Sequence, residues 1–445
     1  MDSQALHVLN QLLLLSTEEL AKSLTIDELE ACRSIVEERI KELTSNNKVI
    51  AEINDDNKKK TKKSRWDSDT DDEEEILLRK HKKQQRKQKR TRSIRSLSCT
   101  TCRSISCYSL EEKLSEGTYG IVWQGIDLET KEKVALKQVR LGKKDCENGF
   151  PLAGLRETSI LFGLKHPNIV HVREMVVGER DDEDLDGDLD EGYPPFNVFM
   201  VMDYWSRDLR SVMADCLLDR PFHQSEVKLL MSQLLAAVQH MHDHHYMHRD
   251  LKTANILYGY GGRIAVCDFG LARTFNDDPP GNYTNMVVTL HYRAPELLLG
   301  VTNYDGKAID MWSIGCIFAE LITSKTLFDG TTEPEQLNLI WHYLGTPVPD
   351  REPITRSWPE FGNIIASKDF AIRNQPIRRL REKIPPLSPP LMIQGAYLTD
   401  IGMDLLERML TLNPANRISA KNSLLHDWFL REIPQPKKVG EMPEF

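Results

Sequence analysis

HRDLKTAN, residues 248–255, decides how this chain is read. It sets one carboxylate, Asp250, between two cations, Arg249 and Lys252, and places an amide, Asn255, five positions on. Taken singly, such an aspartate is a helix cap or a turn residue, because its oxygens accept from free backbone N–H groups. The motifs on either side weaken that account. Downstream stand DFG, 268–270, and APE, 294–296; upstream stands SEGTYGIV, 115–122, between stretches of strand-like alternation. Glycines in such a loop let backbone N–H groups come close to phosphate oxygens. VALK, 134–137, follows on a strand pattern and offers Lys137 as a point charge.

In this order and at this spacing the five motifs resemble the set that marks protein kinases. The resemblance implies an α+β, two-lobed protein kinase fold. Its N-lobe is an antiparallel β-sheet with one helix, αC, and its C-lobe is mainly helical. It implies ATP and Mg2+ as cofactors. Asp250 would accept the proton of a substrate hydroxyl, Lys252 would stabilise the transferring phosphoryl group, and Thr289 would bond to both. Asn255 and Asp268 would hold metal ions against the β- and γ-phosphates. A lysine at 252 is similar to the serine/threonine kinases rather than the tyrosine kinases. The implied ATP contacts run through Leu114, Ser115, Glu116, Gly117, Thr118, Tyr119, Gly120, Ile121 and Val122, with Ser115 standing where most kinases have a glycine. Leu114, Val122, Ala135 and Leu257 would sandwich the adenine, Glu157 would pair with Lys137, Met202 would be the gatekeeper, and Asp203 and Trp205 would offer hinge backbone.

One further stretch, GFPLAGLRET at 149–158, is a weak helix on its own terms. Pro151 suits a first turn, and Leu152 and Leu155 share a face. Gly154 costs about 1 kcal/mol against alanine. Arg156 and Glu157 are adjacent opposite charges, which a helix aims to different sides. The stretch resembles the PSTAIRE helix of cyclin-dependent kinases. With HPNIVHVREMVVG, 166–178, and IDMWSIGCIFAEL, 309–321, residues 108–432 are most similar to the PITSLRE type. That resemblance implies a cyclin partner, of the L type, docking through 149–161 and ordering the helix. It also implies protein substrates, ribonucleoprotein or splicing-factor partners, and a nuclear role in transcription, splicing or cell-cycle control. Arg156, Arg249 and Arg273 match three arginines that gather a phosphothreonine, at Thr284 here, and a doubly charged phosphate needs several such partners. Thr118 and Tyr119 match inhibitory phosphosites. Val288 and Arg293 match the pair that favours proline after the target residue. Glu296 and Arg417 match a structural buried pair. His291 stands where the family has tryptophan, and is expected to alter packing beneath the substrate pocket.

Outside this region the chain changes character. The formal net charge of the 445 residues is −9. Residues 58–95 nonetheless carry sixteen Lys or Arg against seven Asp or Glu, leaving −18 to the rest. The composition divides the chain into a small helical segment (1–50), a charged linker without apolar periodicity (51–107), an N-lobe (108–204), a C-lobe (205–432) and a tail (433–445). The first segment fits either a closed helical hairpin or a docking module. The linker fits a nuclear import address better than a merely solvated tail. Nine acids between Glu179 and Glu191 read as a loop between two strands. No apolar run is long enough to span a membrane, and the N-terminus lacks the basic flank and cleavage site of a signal peptide. Eight dispersed cysteines fit a reducing compartment; Cys99, Cys102 and Cys107 fall short of a four-ligand zinc site and read as incidental thiols. Cys267 reads as a small buried residue, with a reactive thiol beside ATP as its alternative. Two other functions compete with an active kinase: a pseudokinase scaffold that binds a cyclin, and an RNA-binding protein built on the basic segment.

Overall fold

The computed structural model describes residues 103–117, 120–139, 152–179, 196–216, 221–275, 288–347, 357–366, 375, 377–384, 386 and 397–442. The expectations for residues 1–102, the acidic loop, Thr118, Tyr119 and Thr284 lie outside them. The first lobe is a five-stranded antiparallel sheet of β1 (Tyr108–Gly117), β2 (Gly120–Asp127), β3 (Lys133–Val139), β4 (Val172–Glu179) and β5 (Phe196–Asp203), in the order β1-β2-β3-β5-β4. Alternation along the strands assigns their faces. Val134 and Leu136 of β3 join Phe199 and Val201 of β5, with Tyr108 and Val176, in a small core of their own. The intervening Ala135, Met200 and Met202 belong to the larger core that continues into the second lobe. Helix α1 (Leu152–Gly163) buries Ile160 and Leu161 and packs against the Phe269–Leu271 turn.

The described part of the first lobe includes five residues before the change in composition. Arg103 donates to Asp127 (3.1 Å), Glu174 (2.9 Å) and the Tyr108 hydroxyl (3.2 Å), and Ser104 forms a parallel bridge with Val177. This one guanidinium ties the two edge strands together, which a reading of residues 103–107 as linker does not anticipate.

The second lobe is built on α2 (Leu209–Cys216), α3 (Gln224–Asp243), α4 (Gly306–Thr323), α5 (Glu333–Leu344) and α6 (Asp400–Met409), with shorter turns between. Every residue of α4 except Lys307 and Thr323 is buried, as befits a helix apolar on all sides. Trp312 of this helix and Trp428, whose ring lies against Phe318, are fully buried. Arg417 forks onto Glu296 with bonds of 2.8 and 3.1 Å, both side chains out of solvent. A small hairpin, β6 (Ile256–Gly259) and β7 (Arg263–Val266), lies under the cleft between the lobes and leads directly to Asp268. Residues 433–442 lie along this lobe rather than away from it. Among the described residues no helix is long and apolar enough to cross a membrane.

Candidate active site

The HRD stretch is positioned from beneath by a residue its own sequence does not reveal. Asp310 of α4, 1% exposed, accepts from the backbone N–H of His248 (3.0 Å) and of Arg249 (2.9 Å), and lies 3.0 Å from His242 Nε2. Arg249 has φ +68°, a left-handed conformation that non-glycine residues hold at a cost of about 1 kcal/mol or more. The two bonds to Asp310 fix that conformation and turn Asp250 into the cleft. An acid inside the apolar run AIDMWSIGCIF was the available signal for Asp310.

Four donors aim the Asp250 carboxylate. Its Oδ1 accepts from the Thr289 backbone (3.0 Å) and hydroxyl (2.9 Å); its Oδ2 accepts from Lys252 (2.7 Å) and Asn255 (3.1 Å). Lys252 also reaches Thr289 Oγ1 at 3.1 Å. The four residues expected to carry catalysis therefore form one bonded unit. Residues 289–292 are tied to the same loop by a path the sequence reading missed. The Thr253 hydroxyl lies 3.2 Å from that of Tyr292, which donates to Glu320 at 2.6 Å. Burial holds the Glu320 carboxyl above the usual carboxylate range, with the hydrogen bond from Tyr292 opposing it.

Across the cleft, Lys137 lies 2.6 Å from Glu157 of α1 and 3.1 Å from Asp268. Burial alone would push this ammonium down, but the two carboxylates outweigh it and hold the pKa above the usual lysine range. Burial would likewise raise Asp268; Lys137 outweighs it and lowers it. Both groups are thus charged at neutral pH. The donor set suits Mg2+, a hard cation that takes oxygen ligands. Asn255 uses its amide N–H on Asp250 and keeps its carbonyl oxygen, while Asp268 uses Oδ1 on Lys137 and keeps Oδ2.

The residues expected to contact the nucleotide lie on the strands around the same cleft. Val122 on β2, Ala135 on β3, Met202 on β5 and Leu257 on β6 meet in one apolar cluster, with Ala135 paired to Met202. Leu114 and Glu116 are exposed on β1, Ser115 pairs with Val122, and Ile121 pairs with Glu116. Gly117 and Gly120 pair across the loop tip; Gly120 has φ +145°, and a side chain there would run into the Gln138 carbonyl. The Asp203 N–H is taken by the His171 carbonyl at 3.1 Å. Burial and the adjacent Asp268 push the Cys267 thiol up to about 12, which argues against a reactive thiolate.

The segment before APE holds an unusual backbone. Val288 has φ +72°, an outlier for a β-branched residue, and this turns its carbonyl onto Arg293, which donates from Nε (3.2 Å) and Nη2 (2.9 Å). Arg249 bonds to Tyr304 (3.2 Å) and to the Leu271 carbonyl (2.8 Å). Burial raises the Tyr304 phenol, and Arg249 and Arg273 both oppose it, so two of the three expected arginines converge. Arg156, half-buried on α1, has no ion-pair partner among the described residues.

The protein kinase domain family model matches residues 108–429. The chain is 45% identical over 344 residues to cyclin-dependent kinase G-2 of Oryza sativa subsp. indica, covering 77% of this chain and 44% of the rice protein. It is 42% identical over 342 residues to human cyclin-dependent kinase 11B, covering 77% and 38%, and 41% identical over 342 residues to rat cyclin-dependent kinase 11B, covering 77% and 70%. The chain thus spans less than half the length of the rice and human proteins.

Proposed function

Because this chain belongs to the protein kinase family, and within it to the cyclin-dependent kinases, we propose that it is an active, cyclin-activated kinase. In this reading it transfers the ATP γ-phosphoryl group to serine or threonine followed by proline on nuclear proteins. One observation carries the proposal: the Asp250 carboxylate is aimed by Thr289, Lys252 and Asn255 at bonding distances. Asp250 takes the proton from the substrate hydroxyl as the oxygen attacks, and Lys252, 2.7 Å away, meets the charge that develops on the phosphoryl oxygens. Bound Mg2+ supplies further charge neutralisation at the phosphates. Lys137, held by Glu157, positions the α- and β-phosphates. The preference for proline follows from Val288. Its carbonyl is already used by Arg293, so the N–H of the next substrate residue finds no acceptor, and proline has no N–H to leave unsatisfied.

The partner in this reading is an L-type cyclin bound through residues 149–161, and the basic clusters at 58–65 and 79–95 serve as a nuclear address. A pseudokinase scaffold is the weaker alternative, because all five residues are present, Lys137 bonded to Glu157 and Asp268, and Asn255 to Asp250. The deciding experiment incubates the full chain with purified L-type cyclin, Mg·ATP and paired Ser-Pro and Ser-Ala peptides, beside an Asp250→Asn control. Cyclin-dependent labelling of the Ser-Pro peptide supports the proposal. Labelling no greater than in the control sinks it.

A further inference from the structure

Past the turn Asp427–Leu430, residues 431–442 run along the second lobe as a strap whose contacts are specific at each end. At its start, Lys228 of α3 is fully buried and donates to the carbonyls of Glu432 (2.7 Å) and Pro434 (2.9 Å), with its ammonium over the Trp428 ring. In the middle, the Lys437 backbone bonds to the Ser225 carbonyl (3.0 Å), and its ammonium pairs with buried Glu226 (2.9 Å). At the far end, Gly440 donates to the Gly261 carbonyl (2.8 Å), and Met442 enters the main core, 5% exposed. The β6–β7 turn is shaped to receive it. Gly261 and Gly262 both have positive φ; a side chain on the first would meet the Gly440 backbone, and one on the second would meet Met442.

That turn also carries the load of the nucleotide side of the cleft. Gln233 donates to the Gly262 carbonyl (2.8 Å) and accepts from Asn168 (2.9 Å) and from the Ile264 N–H (3.2 Å). Asn168 in turn holds the Ile264 carbonyl (2.8 Å) through its side chain and the Val266 N–H (2.8 Å) through its backbone. Val266 lies two residues before Asp268, and Ala265 pairs with Leu257. On the hinge side, a side chain on Gly259 would meet the Trp205 ring, and Val439 shares with Lys133, Asp203, Tyr204 and Trp205 the lining of an open cleft of about 810 Å³ behind the hinge. Its start and middle are held by α3, and what its far end reaches leads to nucleotide contacts: Leu257, the hinge and Asp268. None of these bonds leads to Thr289, Val288 or Arg293.

We infer that the strap Glu432–Met442 is a positioning element of the nucleotide site, seating the β6–β7 hairpin so that Leu257 and Asp268 face the bound nucleotide. The inference rests on reading the cleft as an ATP site. Its signature is a split between substrates, which a clasp that only stabilised the fold would not produce.

The test uses the full chain with its activating cyclin. Met442→Asp expels the strap end, Met442→Leu keeps it, and Lys437→Ala loosens it from the rim. Steady-state kinetics give KM for ATP, KM for peptide and kcat, and calorimetry gives the Kd for Mg·ADP. For Met442→Asp, KM for ATP and the Kd rise about fivefold, within the range that positioning residues outside a site produce. Peptide KM and kcat stay within about twofold, and Met442→Leu restores the wild-type values. If Met442→Asp does not fold, Lys437→Ala is to show the same split at about two- to threefold. An unchanged ATP KM with a lowered melting temperature overturns the inference, as does an equal loss in both substrates. Failure of the wild-type protein to bind Mg·ADP overturns instead the ATP reading on which it rests.

Discussion

Replacing Thr289 by valine tests the central unit directly. Valine keeps the shape of threonine and removes only the hydroxyl, which donates to Asp250 Oδ1 at 2.9 Å and accepts from Lys252 at 3.1 Å. The carboxylate is not orphaned, because the Thr289 N–H still reaches Oδ1 at 3.0 Å and Lys252 and Asn255 still hold Oδ2. What is lost is aim. A hydrogen bond to a charged group contributes about 1.5–3 kcal/mol. If that loss falls on the transition state, where Asp250 and Lys252 must both be in place, kcat drops about 10- to 150-fold. KM for ATP stays near wild type, since Thr289 makes none of the bonds around Lys137. The assay is steady-state phosphorylation of a Ser-Pro peptide with cyclin present, and Thr289→Ser, which restores the hydroxyl, is the control. A loss under threefold in the valine variant, or the same loss in the serine variant, would refute the claim that this hydroxyl aims the base.

Arg293→Met frees the Val288 carbonyl for the N–H of a non-proline residue. The preference for Ser-Pro over Ser-Ala in kcat/KM should fall about tenfold, since an unsatisfied N–H costs about 1–3 kcal/mol; an unchanged ratio would remove Val288 from the account of specificity. Arg417→Met leaves Glu296 buried and uncompensated, and urea unfolding should show a loss of about 3–5 kcal/mol, most of it recovered in the Arg417→Met/Glu296→Leu double variant. Cys267 should resist alkylation at neutral pH. Burial disfavours the charged thiolate and raises the pKa to about 12, so the thiolate fraction is small at pH 7 and grows about tenfold per pH unit up to that value. Mass spectrometry of iodoacetamide-treated native protein reads this, and half-labelling within minutes at pH 7.5 would contradict the burial argument.

The parts of the fold and site that were legible in the sequence are those whose chemistry is packed into short motifs. Asp250, Lys252 and Asn255 lie within six residues, and the alternation in KVALKQV fixes which residues of β3 face the cleft. Residues whose partners come from far along the chain were not legible. Asp310 works on a backbone some sixty residues away, and Tyr292 reaches Glu320 only because α4 passes beneath it. Lys228, in SEVKLLMSQ, has the pattern of a solvent-facing helix lysine, yet it is fully buried because the strap returns some two hundred residues later to cover it. The strap itself reads as a tail, since IPQPKKVGEM has no periodicity to announce a docked segment. Composition misled in the same way at Arg103, which follows an uncharged, serine-rich stretch and yet serves the sheet.

The sharing of Lys137 between Glu157 and Asp268 has an energetic corollary. Two carboxylates and one ammonium leave this corner with a surplus negative charge, and the two acids belong to different bodies: one rides on α1, the other sits at the end of β7. A divalent cation held by Asp268 would compete with Lys137 for that carboxylate and leave Glu157 as the stronger partner of the ammonium, which would favour the position that α1 holds here. Any protein that grips α1 in that position must then bind more tightly when the metal nucleotide is in place, and by reciprocity must tighten the nucleotide by the same factor.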